Sequence, residues 1–448
     1  MERGRGPFVL TCGVVRSVPE WYNQNMVQRR ILDSPNMKRF QLAWFAAWLS
    51  LVSACGDGGG GGGVGGLLGA IGSGGGERAT GAIVYVTNSG ANSVSGYSVN
   101  PATGGLTAIA GSPFSDVSTP SAIAVSANGL FAYVANSQTN KVTAFRVGIN
   151  GALGFVDSTS ANPNPVSVGT TPRALAVSKD SQFLYVANNG SDDVTVFKIG
   201  TAGGLTHVPQ TEGRSKPVST GVSSPVALAI APNGRFLYVG TSTSNMVTTF
   251  QVDASGVLTL IPEAGPGTNP IASGGNGLTA MALSPNGQFL YVTNGASNSV
   301  TMFRVESSGL LTLIQPTSSN PIATGGTTPN GIVVAADGAH VYIANGGGTV
   351  STFSIGSNGF LTLVPAVGAA QNPVPAPATG LTPVALTTSP DGQFLYVANR
   401  ITSGSGGTVS AYTIVSESGT LVPVTQLLGN PFPAQSNPSA IATLAPVP

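Results

Sequence analysis

Short apolar runs, each closed by a tight polar turn, fill this chain from residue 81 onward. The stretch from Pro172 to Val208 shows the pattern. Pro172-Arg173-Ala174-Leu175-Ala176-Val177-Ser178 is an apolar run behind a proline, and Lys179-Asp180-Ser181 turns the chain. Phe183-Leu184-Tyr185-Val186-Ala187 is a second run, rich in β-formers, and Asn188-Asn189-Gly190-Ser191 breaks it. Val194-Thr195-Val196-Phe197-Lys198-Ile199 alternates apolar and mixed residues at period two, which predicts a half-buried strand. Gly203-Gly204 then turns into Leu205-Thr206-His207-Val208. The unit predicts four antiparallel strands.

The unit recurs seven times. Its most regular phrase is Tyr85-Val86-Thr87-Asn88, Tyr133-Val134-Ala135-Asn136, Tyr185-Val186-Ala187-Asn188 and Tyr238-Val239-Gly240-Thr241. It continues as Tyr291-Val292-Thr293-Asn294, Tyr342-Ile343-Ala344-Asn345 and Tyr396-Val397-Ala398-Asn399. The turn before it carries Asn128-Gly129, Asn233-Gly234, Asn286-Gly287, Asp337-Gly338 or Asp391-Gly392, all suited to positive φ. Lys179-Asp180-Ser181 is the exception. A strand-rich period near fifty predicts an all-β, seven-bladed propeller over residues 81–448. The first Tyr-Val-Thr-Asn strand has no Pro-x-Ala-Ile-Ala strand before it. The missing copy stands at the far end, as Pro438-Ser439-Ala440-Ile441-Ala442-Thr443. The last strand is therefore expected to complete the first blade, a 3+1 closure that leaves no open edge.

Charged residues are 8% of the chain, against roughly 25% in ordinary soluble proteins, and the net charge is +1. Neither a basic field for nucleic acid nor an acidic one for cations is present. The two cysteines, Cys12 and Cys55, lie outside the repeats, so no disulfide braces the ring and thiols build no zinc site. No haem-attachment motif and no acidic ligand cluster is visible, and no cofactor or metal is expected.

Residues 37–54 read as a signal peptide: Met37-Lys38-Arg39, then an apolar run from Phe40 to Ala54. Leu51-Val52-Ser53-Ala54-Cys55 resembles the bacterial lipoprotein cleavage box, which implies lipid on Cys55. Residues 1–36 read as a gene-model extension upstream of the true start at Met37, and residues 55–80 as a Gly-rich tether with six successive glycines from Gly58 to Gly63. The expected address is the cell envelope, outside the cytoplasm, on the outer membrane where the organism has one.

The repeat resembles the YVTN propeller family. The wider unit, Pro-x-Ala-Leu-Ala-Val-Ser, Asn/Asp-Gly-x-Phe-Leu-Tyr-Val, Val-x-x-Phe and Gly-x-Leu-Thr, is similar to the seven-bladed lactonase family, which includes the 6-phosphogluconolactonases. Where that family's enzymes show Pro-Arg-His, this chain has Pro172-Arg173-Ala174. The arginine is kept and the histidine is lost.

Two loop sets should build one mouth of the central channel: those leading into each inner strand, and those between second and third strands. The first offers Arg173, whose planar fork suits a carboxylate, phosphate or oxyanion. The second offers Asn188 and Asn399 as ligand-binding amides, Lys141 and Arg400 as recognition cations, and Asp192 and Asp193 as the candidate base. Repetition of the asparagines at equivalent sites favours a framework role for them. His207 and His340, the two histidines of the chain, are expected away from the mouth and from each other.

Two functions follow. The first is a monomeric, lipid-anchored binding or scaffold module that meets a surface protein or glycan. The second is a lactone hydrolase, with Arg173 stabilising the oxyanion and Asp192 or Asp193 activating water. The lost histidine puts the first ahead of the second.

Overall fold

The structure is a computed structural model that describes residues 81–159, 163–210, 218–262, 267–365, 372–376, 381–401, 406–425 and 429–446. Residues 1–80, with the signal-peptide pattern, Cys55 and the glycine tether, lie outside the described residues.

Blade 3 has the strands anticipated from its pattern. Pro172–Val177 is innermost, followed outward by Phe183–Asn188, Asp193–Ile199 and Leu205–His207, all antiparallel. The same arrangement repeats in seven sheets whose inner strands follow one another round a ring. Blade 1 takes its inner strand from the far end of the chain. Pro438–Leu444 pairs antiparallel with Ile83–Asn88, from Ile83 opposite Leu444 to Thr87 opposite Ala440, so the ring closes 3+1.

One element was not anticipated. In blades 2 to 7 a fifth, short strand pairs with the start of the third strand, as Ile322–Ala323 does with Ser299 and Val300. An asparagine ahead of each of five of these strands acts as a piece of sheet. Asn320 Oδ1 accepts from the Met302 N–H at 3.0 Å, and its Nδ2 donates to the Met302 carbonyl at 2.7 Å and the Ile314 carbonyl at 3.1 Å. Asn164, Asn269, Asn372 and Asn430 brace Ala144, Thr249, Thr352 and Ala411 in the same way. Asn320→Ala leaves the Met302 N–H and the Ile314 carbonyl unpaired, while the Met302 carbonyl keeps the Ile314 N–H, and is expected to destabilise the ring by about 2–3 kcal/mol, read from urea unfolding.

The core lies between blades. The repeated tyrosines are each 0% exposed, and their rings pack against the strands of adjacent blades. Six of the seven hydroxyls donate to a glycine carbonyl in a turn of the next blade. Examples are Tyr238 to Gly309 at 3.0 Å, Tyr291 to Gly359 at 3.0 Å and, across the closure, Tyr396 to Gly104 at 3.2 Å. Glycine is required at that turn, since Gly309 has φ +88 and an added Cβ would sit 2.4 Å from the Phe236 ring. Burial pushes these phenols above their ordinary range, so they stay neutral and keep the proton they donate.

Candidate functional site

Every inner strand starts at the same face of the ring, and its first residues line a central channel of about 510 Å3. The residue after the leading proline, or after Leu278 in blade 5, does a repeated job there in four blades. Ser439 Oγ donates to the Pro120 carbonyl at 2.6 Å, Ser121 Oγ to Pro172 at 2.6 Å, Thr279 Oγ1 to Pro329 at 2.6 Å and Asn330 Nδ2 to Pro383 at 2.9 Å. Each of these polar side chains clasps the next blade.

Three blades break this rule: blade 4, where the position is Val226, and blades 3 and 7, which put an arginine in the channel. In blade 3 the clasp position is Arg173, and the carbonyl of Pro225 is served instead by Asn189 Nδ2 at 3.3 Å. Arg173 is thereby released from framework duty; it is exposed and lines the channel. In blade 7 the position is Val384, which cannot donate. Arg400 supplies the missing bond through Nε, 3.1 Å from the Pro438 carbonyl. Its two terminal nitrogens are left for the channel.

Blade 7 carries Arg400 by a local extension. Its inner hairpin has two residue pairs beyond Pro383 and Asn399, with Thr382 opposite Arg400 and Leu381 opposite Ile401. At about 3.4 Å per residue this raises the hairpin by about 7 Å at the mouth. Arg400 is thus at the channel rim because the strands that bear it run on where the others stop.

The site is electrostatically one-sided. Its lining contains Arg173 and Arg400 and no Asp, Glu or His. Partial burial holds the Arg400 guanidinium below its ordinary value, and the positive charge of Arg173 lowers it further. Arg400 therefore feels Arg173, and a guanidinium so placed stays cationic at neutral pH. The contact between a basic and an acidic side chain among the described residues joins His340 Nδ1 and Asp337 Oδ2, away from the mouth, so no described carboxylate there neutralises either guanidinium. The blade 7 loops at 377–380 and 402–405 lie outside the described residues; their sequences hold no ionisable side chain. Two fixed cations in a walled, charge-poor channel favour an anion or an oxygen that becomes one.

The other expected site residues are not part of this lining. Asp192 sits in a left-handed turn at φ 57, where other blades carry Asn92, Asn140, Asn245 and Asn298. Its Oδ1 accepts from the Ser224 N–H at 2.6 Å, matching the bonds from Thr119 to Asn92 and from Thr328 to Asn298, each 2.6 Å. It is a blade-to-blade clasp. Asp193 Oδ1 accepts from Asn188 Nδ2 at 2.7 Å. The structure thus places the two carboxylates, read as a candidate base, in the framework and outside the channel, and neither pairs with Arg173. Asn188 and Asn399 are wholly buried; their amides donate to Thr195 Oγ1 and Ser410 Oγ, each at 2.8 Å. Lys141 stands opposite Asn136 in blade 2, also off the lining. His207 packs on Phe197 at 4.4 Å between ring centres, and burial lowers its pKa. His340 is buried beneath the Gly419 turn.

Burial raises the Asp193 carboxyl above the usual range; the bonds from Asn188 and Ser191 lower it and the charge of Asp192 raises it again. A raised folded-state pKa favours folding while the group is protonated, and that contribution is lost as pH rises through the folded value. Asp193→Asn is therefore expected to help stability more at about pH 7 than at about pH 3, in denaturant melts at both.

A closed ring of seven blades, with a cationic, polar mouth at the start of its inner strands, defines a seven-bladed propeller with an open channel on its axis. The chain belongs to the family described as lactonase, seven-bladed β-propeller, whose profile matches residues 76–272 and 264–374. It is 32% identical over 133 residues to the 6-phosphogluconolactonase of Blochmanniella pennsylvanica, covering 29% of this chain and 34% of that protein. It is 26% identical over 161 residues to the 6-phosphogluconolactonase of Yersinia pestis, covering 35% and 46%. The matched segments thus span less than half of these curated relatives. Among solved structures, a putative 6-phosphogluconolactonase from Bacteroides fragilis superposes with a TM-score of 0.61 at 21% identity, over 82% of this chain and 98% of that one. A periplasmic gluconolactonase from Pseudomonas aeruginosa does so with 0.62 at 19%, over 82% and 99%. At those identities the likeness is one of fold.

The missed feature is the meeting of Arg173 with Arg400. Its signal was a valine, Val384, at the position where four other blades carry Ser, Thr or Asn. In blade 7 the bond comes from Arg400 instead, whereas blade 4, with Val226 at the same position, puts no arginine in the channel.

Proposed function

We propose that this protein is a lactone hydrolase whose site is the Arg173–Arg400 mouth of the channel. The carrying observation is the pair of guanidiniums in one polar channel lined by no carboxylate. Membership of a lactonase family supports the same reading. These two observations put hydrolysis ahead of the binding or scaffold role that the lost histidine favoured.

The chemistry follows from the charge. A lactone carbonyl oxygen seated at the guanidiniums becomes an oxyanion when water adds to the carbonyl carbon, and charge-assisted hydrogen bonds stabilise it. Collapse breaks the ring C–O bond, and the departing alkoxide takes a proton from water. The attacking water gives its proton to solvent, because the lining offers no Asp, Glu or His to receive it. The product is a hydroxy acid, released as its carboxylate with one proton. An intrinsically reactive ester, such as a strained or sugar lactone, suits a site that supplies electrostatics and no base.

The envelope address read from Met37 to Cys55 belongs to the same proposal. An exported enzyme meets unphosphorylated lactones, as the name of the periplasmic gluconolactonase relative indicates for that protein. The test is a pH-stat assay of the purified protein against gluconolactone, 6-phosphogluconolactone and acyl-homoserine lactones. Turnover of gluconolactone well above the spontaneous rate is expected. Absence of turnover across the panel would return the ring to a binding role.

A further inference from the structure

We propose a second binding site, for a neutral, hydroxyl-rich molecule such as a saccharide, in the cavity between blades 3 and 4 on the face opposite the arginine mouth. The cavity measures about 650 Å3 and is built from the turns that end the inner strands of both blades and the turn after Val252. Its size suits a small ligand.

Two departures from the repeat coincide there. The first is Tyr185. Six sibling tyrosines donate to a glycine carbonyl of the next blade, but the Tyr185 hydroxyl, fully buried at the cavity floor, has no partner. A buried donor left unpaired costs stability, so the position is unfavourable unless something outside the protein supplies an acceptor. The second departure is the charge. In a chain with 8% charged residues, Lys179, Asp180, Arg235 and Asp253 all line this one cavity. Lys179 and Asp180 belong to the turn that lacks the usual Asn/Asp-Gly pair.

The chemistry of the lining selects the ligand class. Two cations and two carboxylates cancel, so a net charge on the ligand gains from one pair what it loses to the other. Asp180 uses Oδ1 for Ser178 Oγ at 2.5 Å and the Gln182 N–H at 3.0 Å. Asp253 uses Oδ1 for the Ser255 and Val257 N–H groups at 2.8 and 2.9 Å. The Ser255 hydroxyl also donates to Asp253 Oδ1 at 2.7 Å, and the side-chain bonds of both carboxylates among the described residues fall on Oδ1, which leaves Oδ2 as the further acceptor. Lys179 and the Arg235 guanidinium, which lies 5.5 Å over the Phe236 ring, supply donors. A hydroxyl group both donates to a carboxylate and accepts from an ammonium, guanidinium or phenol. Several hydroxyls on one rigid ring match this alternation.

Calorimetric titration of the purified protein with neutral mono- and disaccharides, and with glycine as a zwitterion, tests the proposal. At least one saccharide is expected to bind, with affinity about tenfold weaker in Arg235→Ala and about three- to tenfold weaker in Tyr185→Phe. Arg173→Ala should leave that affinity unchanged, which separates the cavity from the channel. Tyr185→Phe should keep or raise the melting temperature, whereas Tyr238→Phe, which leaves the Gly309 carbonyl unpaired, should lower it. Silence toward every saccharide, preference for glycine, or binding that is lost in Arg173→Ala and kept in Arg235→Ala would overturn the assignment.

Discussion

Removal of the residues after Asn437 is expected to unfold the whole ring. The lost strand, Pro438–Leu444, forms the inner edge of blade 1 and pairs with Ile83–Asn88. It also carries two clasps. Ser439 Oγ holds the Pro120 carbonyl at 2.6 Å in blade 2, and the Pro438 carbonyl receives Arg400 Nε from blade 7. Ile441 packs against the core shared by blades 7 and 1, and Leu444 is buried in the core shared by blades 1 and 2. Fully burying a side chain such as Leu444 is worth about 1.5–3 kcal/mol, half-buried Ile441 adds less, and the ladder and clasp bonds add about 1 kcal/mol each. The sum is comparable with the whole stability of a domain, about 5–15 kcal/mol. Loss of the cooperative melt, followed by circular dichroism, is the expected result. A truncated chain that melts within a degree or two of the full one would show that the last strand is dispensable and that the ring is closed by other contacts.

Arg173→Ala is expected to lower kcat/KM for a sugar lactone by about 100-fold or more, the usual cost of deleting one oxyanion donor. It should do so without disturbing the fold. Arg173 clasps no neighbouring blade, and Asn189 already serves the Pro225 carbonyl in its place. The melting temperature should therefore stay put while activity falls. Arg173→Lys should recover part of the rate, since it keeps the charge and loses the planar fork. Arg400→Ala is the informative contrast. It removes a guanidinium from the site and also frees the Pro438 carbonyl, so activity and melting temperature should fall together. Turnover that survives Arg173→Ala unchanged would remove the channel mouth as the site.

The architecture was legible because its signals are local. A tyrosine after an Asn-Gly turn, an apolar run behind a proline and a valine–threonine alternation each describe a few neighbouring residues, and sevenfold repetition made them unambiguous. The closure was legible for the same reason: Pro438-Ser439-Ala440-Ile441-Ala442 copies Pro120-Ser121-Ala122-Ile123-Ala124. Even the Asn-Pro brace stood in plain sight at Asn164, Asn269, Asn320, Asn372 and Asn430, and went unread because two residues look like an ordinary loop signal.

The site was legible only in halves. Arg173 broke the repeat at a named position, and Arg400 was a cation between the second and third strands of its blade, so each was singled out alone. Asp192 drew notice as a carboxylate, and the structure puts it in a turn where other blades carry asparagine. The seven-bladed ring, its turns and its closing strand were determined by the sequence itself, through hydrophobic period and turn chemistry. Tertiary structure decided that Arg173 and Arg400 share one channel, that Asp192 and Asp193 serve the framework, and that Tyr185 alone among the repeated tyrosines lacks a partner. The reason is that each of these depends on what another blade places opposite, and that juxtaposition is set by the curvature of the closed ring.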